Sequence, residues 1–205
     1  MRQLLIGLLL VAFVPLALAA DWTKPYFAAT KPGSWAKTKS TSTIGPPSVT
    51  TYTRLPDENG QIVIDQYSEF DNKDTPAATM RYTLASGFNA DRELIDFLRA
   101  ITAASARVGA DAPFTDLPAD TVNAIKGAPA YGATAAFKGS ERVDGKNCDR
   151  YSYTRNHNGQ TETGDIWLSP SVPFGLVKQK MSMADESGKV TYTAEITLVD
   201  SGTKK

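Results

Sequence analysis

Few residues in this chain could do chemistry, and their spacing argues against most of it. His157 is the only histidine and Cys148 the only cysteine among 205 residues. A zinc centre needs three or four convergent ligands, and a thiol nucleophile needs an imidazole beside it. His157, flanked by Asn156 and Asn158, therefore reads as a solvated turn residue. Cys148 has no partner for an intramolecular disulfide and reads as a small buried hydrophobe. Asp65 and Glu69 fall on one face of an expected strand, about 13 Å apart at ~3.3 Å per residue. A glycosidase acid/base pair stands at most about 9.5 Å apart, so these are face charges. Asp71-Asn72-Lys73-Asp74 has the wrong ligand spacing for a calcium loop, and Lys73 opposes a cation. It reads as a turn. No G-x-S-x-G, H-E-x-x-H or phosphate-loop pattern occurs. The expectation is a chain with no catalytic residue, no metal site and no cofactor.

The bulk composition narrows the class further. The chain has 22 Lys and Arg against 22 Asp and Glu, which gives no steering field for nucleic acid. At 41% hydrophobic and 21% charged residues it is globular. Residues 1–20 have the form of a secretory leader. Arg2 supplies the positive start, Leu4 to Leu18 is an apolar run broken by Pro15, and Ala17 and Ala19 make an A-x-A exit. The run is shorter than the roughly 20 apolar residues a membrane span needs. The expectation is a cleaved signal peptide over 1–20 and a single domain over 21–205, periplasmic or secreted. With no cysteine near the cleavage site to acylate, the mature chain is expected not to be anchored that way or to span a membrane.

The elements that must position any site are mostly strands. Alternation and clustered Thr and Tyr mark strands at 34–43, 49–55, 61–70 and 77–85, with Asn59-Gly60 as a hairpin tip. The period then changes. Leu94, Phe97, Leu98, Ile101, Ala104 and Val108 fall on one stripe of an expected helix over 90–108, with Asn89 as its N-cap. Residues 111–129 read as loop with a helical turn near 121–126. A second β block follows: 131–138, an Asp144-Gly145 turn, 148–155, 160–168, 176–183 and 190–199. In the last of these, Tyr192, Ala194, Ile196 and Leu198 alternate with polar residues. Segment 169–175 is a stiff, proline-containing connection. The predicted fold is β-rich α+β: a curved antiparallel sheet, an open half-barrel of about nine strands, with one main amphipathic helix over its concave face.

Several stretches then carry a family resemblance: VDGKNCDRYSY at 143–153, DIWLSPSVPFGLVK at 165–178, EITLVD at 195–200 and KPGSW at 31–35. They resemble exported bacterial proteins of the lipoprotein-sorting (Lol-type carrier) superfamily, in an uncharacterised branch, most strongly over the last 60 or so residues. The shared motifs describe strand ends and turns, so no functional residue is carried over. The resemblance implies a half-barrel whose helical lid covers an apolar groove holding acyl chains. Candidate walls for such a groove are Trp35, Tyr82, Leu94, Phe97, Ile101, Trp167 and Phe174.

The leading functional expectation is a non-enzymatic carrier for a lipid, acyl chain or lipoprotein. Burying a chain of about 14 carbons at ~0.8 kcal/mol per methylene supplies about 11 kcal/mol before ordering costs. The alternative is an envelope protein-interaction module with a filled core, meeting its partner through strand edges or the 169–175 turn. A hydrolase with a dispersed carboxylate site is the third. Export has a direct check: N-terminal sequencing of protein recovered from its host should begin at Ala20 or Asp21. Intact Met1–Ala20 on membrane-bound protein would overturn the leader reading.

Overall fold

The computed structural model describes residues 26–72, 74–86, 100–126, 135–157 and 159–204. The first half of the chain forms β1 (Ser34–Ser42), β2 (Ser48–Arg54), β3 (Val63–Phe70), β4 (Ala78–Leu84), β5 (Ile101–Val108) and the short β6 (Thr115–Asp116). A helix, α1 (Ala119–Lys126), precedes β7 (Ala136–Val143), β8 (Lys146–His157), β9 (Gln160–Leu168), β10 (Leu176–Ala184) and β11 (Val190–Thr203). All eleven strands join one open sheet in the order β6-β5-β4-β3-β2-β1-β11-β10-β9-β8-β7. The chain thus starts at the centre, meanders out to one edge, crosses to the other and meanders back until β11 pairs with β1. Every ladder is antiparallel.

Two of the tight turns follow directly from local chemistry. Asn59 and Gly60 have φ of 52° and 73°, and Asp144 and Gly145 have φ of 45° and 77°. Two successive left-handed residues match the twist of the flanking strands, and Asn-Gly and Asp-Gly adopt them at least cost.

The sheet is curled. Phe174, just before β10, packs its ring 5.7 Å from Tyr52 of β2 and 5.8 Å from Phe27. In a flat sheet β2 and β10 would lie about 14 Å apart, at ~4.8 Å per strand. Inward side chains from both halves consequently share one core, including Ile64, Met80, Tyr82, Leu84, Ile101, Tyr151, Ile166 and Leu168. One end of the curl is closed by the segment ahead of β1. The Phe174 amide donates to Thr30 Oγ1 at 2.6 Å, Arg54 Nη1 donates to the Thr30 carbonyl at 2.6 Å, and the buried Tyr26 hydroxyl donates to Asp149.

The expectation of about nine strands under one long helix needs correction. The described residues form eleven strands, and residues 101–108 of the expected helix are β5, paired with β4 from Leu84↔Ile101 to Ala78↔Val108. The register shifts between Thr83 and Leu84, which leaves Ile101 and Ala104 both buried with exposed Thr102 and Ala103 between them. A bulge thus imitates the three-residue spacing of a helical stripe. Leu94, Phe97, Leu98 and the expected N-cap Asn89 lie outside the described residues. Among those described, α1 is the one helix, at the position of the expected helical turn. It is short and packs on β5, with Val122 and Ile125 in the core.

Phe174 itself is held at φ 62°, beside Gly175 at φ 73°. A Cβ on Gly175 would stand 2.9 Å from the Tyr26 carbonyl oxygen, so only glycine lets the two segments meet. Gly175→Ala should therefore cost at least about 1–2 kcal/mol from the left-handed backbone alone. Phe174→Ala should cost about 3–5 kcal/mol, because it empties a closed core position. Urea denaturation of both variants checks this, and a cost below 1 kcal/mol for Phe174→Ala would contradict the closed end.

Candidate functional site

At the end of the curl away from Phe174, the inward face opens into a cleft of about 410 Å³. Two rows of cross-strand neighbours make its floor. One runs Met181, Ala194, Ser42 over β10, β11 and β1. The next runs Ile196, Ser40, Ser48, Phe70 from β11 to β3, continued behind the cleft by the buried Gln179 and Ile166. Met183 and Tyr192 extend the apolar wall toward solvent, and the Ile44-Gly45-Pro46 turn overhangs it. Ile44 is 64% exposed, the most open large apolar residue described, and the Ser42 hydroxyl donates to its carbonyl, folding the turn back over β1. Methionines suit such a wall because their unbranched thioethers adapt to different shapes. Partial burial raises the Tyr192 phenol above its ordinary range, so it stays neutral.

Beyond the floor the inward face becomes polar, and most of its groups are paired. Thr50 and Ser68 share a hydroxyl contact of 3.1 Å, and the Tyr82 hydroxyl donates to Gln66 Oε1 at 3.3 Å. A longer chain of bonds crosses β8, β9 and β10. Arg155 Nε donates to Glu162 Oε2 at 2.6 Å, Tyr153 donates to Glu162 Oε1 at 2.9 Å, and Gln179 Nε2 donates to the Tyr153 oxygen at 2.9 Å. Glu162 is 4% exposed, so its charge needs this pairing. Gly164 makes room: a Cβ there would stand 2.6 Å from the Tyr153 oxygen.

The expected wall residues separate onto two faces. Tyr82, Ile101 and Phe174 face the inner core, which continues into the cleft, but none of the three lines it. Trp167 sits on the outer face in a small second core with Cys148, Val172 and Val177. Its indole nitrogen donates to Glu141 at 2.6 Å, and the Arg150 guanidinium lies 5.2 Å from its ring. Trp35 alternates with inward Ala36, and its indole lies over Gly202. Leu94 and Phe97 are outside the described residues. Sequence reading missed Phe70, Met181, Met183 and the inward serines 40, 42 and 48. Serine at alternate inward positions mimics a solvated strand, whereas the run at 190–199 already placed Tyr192, Ala194 and Ile196 on one face.

The carboxylates weighed for chemistry at 65 and 69 have other partners. Asp65 accepts from Arg81 at 2.7 and 2.8 Å, and Glu69 accepts from Tyr67 at 2.8 Å. Asn72 Oδ1 accepts the Asp74 amide at 2.9 Å. Cys148 is 2% exposed, and burial pushes its thiol up to about 11, so it is protonated at neutral pH. His157 is the last residue of β8, in register with Gln160. Among the described residues no group of three His, Cys, Asp or Glu could hold a metal ion, and no helix is long and apolar enough to cross a membrane.

No protein-family model matches the chain, and no curated protein matches it. Solved structures give distant matches. MucB is 13% identical with a TM-score of 0.44, over 91% of this chain and 59% of that one. MucB in complex with MucA(peri) is 11% identical with a TM-score of 0.42, over 90% of this chain and 56% of that one. The chain thus spans little more than half the length of the MucB chains. A Bacteroides fragilis protein, described as exported and of YmcC-like fold, is 9% identical with a TM-score of 0.37, over 93% of this chain and all of that one.

Proposed function

We propose that this is an exported binding protein that holds the apolar chain of an amphiphile, such as an acyl lipid, in the open cleft of the curled sheet. The observation that carries the reading is the cleft itself. Met181, Met183, Phe70, Tyr192 and Ile196 present apolar surface around about 410 Å³ that opens to solvent under Ile44. Each methylene that enters such a site gains ~0.8 kcal/mol by leaving water. A saturated chain needs no charged partner, which agrees with walls made of thioether, aromatic ring and hydroxyl. The leader-like residues 1–20 supply the export half of the proposal.

The test is saturable binding of a neutral apolar probe, N-phenylnaphthylamine, and its displacement by long-chain amphiphiles. Met183→Asp should weaken the probe at least tenfold, because a carboxylate must be desolvated among apolar walls (about 1.4 kcal/mol). The urea midpoint should stay near the parent's, since Met183 is only half-buried. Trp167→Phe, on the outer face, should leave probe affinity unchanged. No saturable binding, or none that Met183→Asp weakens, would leave the protein-interaction module as the surviving reading.

A further inference from the structure

The sheet is open, and its two edges differ. β6 ends one side after two residues, whereas β7 ends the other as an eight-residue strand whose neighbour among the described strands is β8. A strand paired on one side directs alternate backbone N–H and C=O groups outward, a ready template for another strand. Six of the eight residues of β7 are exposed, and Phe137 is 57% exposed. Its side chains divide between the two faces of the sheet. Phe137 lies 5.5 Å from the ring of Tyr151, which belongs to the inner core. Glu141 accepts from Trp167 and is in register with Cys148, both of the outer core, and Val143 packs against that core too. An extra residue between Phe137 and Gly139 puts Lys138 on the outer face with Glu141. Burial raises the Asp165 carboxyl on that face, but Arg150, Ser152 and, at longer range, Lys138 hold it below the usual carboxylate range.

Set antiparallel to a second copy of itself with all eight residues matched, β7 is self-complementary. Ala136 then stands opposite Val143, Phe137 opposite Arg142, Lys138 opposite Glu141 and Gly139 opposite Ser140. Opposite charges facing across a ladder attract, and so does a guanidinium over an aromatic ring. Each contact occurs twice about the two-fold axis. The bond from Trp167 does not exhaust Glu141, since a carboxylate accepts several. Sliding the pair by one residue loses the match: in one direction Lys138 meets Arg142, in the other it meets Ser140. A bulge ordinarily guards a free edge. Here the two-fold axis puts the same extra residue on both strands, so they stay in step.

We infer that the β7 edge is an interface for a second copy of this chain, joined as an antiparallel two-fold pair that continues the sheet from one molecule into the other. The residues described as lining the cleft do not include any of β7, so the inference stands apart from the amphiphile reading.

Sedimentation velocity of the purified exported chain over a dilution series tests this, and the parent should form a reversible dimer. Lys138→Glu and Glu141→Lys each set like charges opposite one another twice, and each alone should weaken the dimer at least about tenfold. An equimolar mixture of the two variants should dimerise again, as a heterodimer, because every charge then faces its opposite. That recovery also shows that both variants fold. Phe137→Lys, at an exposed position, sets two cations opposite one another on the inner face. It should weaken the dimer to a similar degree with little change in the urea midpoint, and it tests the register independently of Glu141 and its bond to Trp167. A monomeric parent, which would leave β7 to a strand from another protein, would overturn the inference. So would a dimer indifferent to all three substitutions, or a mixture no tighter than the single variants.

Discussion

The contact between Phe174 and Tyr52 is the constraint on which the rest of the molecule depends. A flat antiparallel sheet has no intrinsic reason to form a core between its own strands, because each of its faces looks outward. The ring of Phe174, turned inward by a left-handed backbone at φ 62°, brings the connection before β10 against β2. Phe27 packs edge-on against the same ring, and the Thr30 side chain and carbonyl take the donors at this junction, the Phe174 amide and Arg54. With that end closed, the two halves of the sheet face one another and bury Tyr82, Ile101, Tyr151 and Leu168 together.

Closing one end has a consequence at the other. Inward positions on β1 and β2 carry Ser40, Ser42 and Ser48, which are too small to fill the space between Phe70 and Met181. Had these been leucines, the same register would have produced a solid core throughout. The cleft is therefore set by residue size at a few inward positions, and its walls by the longer side chains of β10 and β11. The polar network lies behind it, across β8, β9 and β10. Gly164 leaves room for Tyr153, Tyr153 bridges Glu162 and Gln179, and the buried carboxylate is held by Arg155. A glycine, an aromatic hydroxyl and an amide thus act as one unit, which is why the Gln179 carbonyl has a defined direction.

The outer face solves a different problem. Trp167, Cys148, Val172 and Val177 form a second, smaller core, and Arg150 and Lys178 lie near the indole ring. Asp65 with Arg81, and Asp165 with Arg150, complete a surface of cross-strand ion pairs. Residues that attract notice as possible chemistry when read singly are here the ordinary means of keeping a sheet's outer face ordered in water.

The elements that depend on local chemistry alone were legible in the amino-acid order. Asn59-Gly60 and Asp144-Gly145 specify hairpins because their φ preferences are intrinsic. The alternation along β11 assigns Tyr192, Ala194 and Ile196 to one face because the strand period is two. The tertiary structure decided everything that required knowing a neighbour. Ile101 and Ala104 are equally spaced for a helix or for a bulged strand, and pairing with β4 selects the strand by satisfying its open ladder. Serines 40, 42 and 48 look solvated until the sheet curls over them. That a cleft exists, that Tyr82 and Trp167 lie on opposite faces, and that Gln179 has a spare carbonyl are properties of contacts between distant strands, which no local preference encodes.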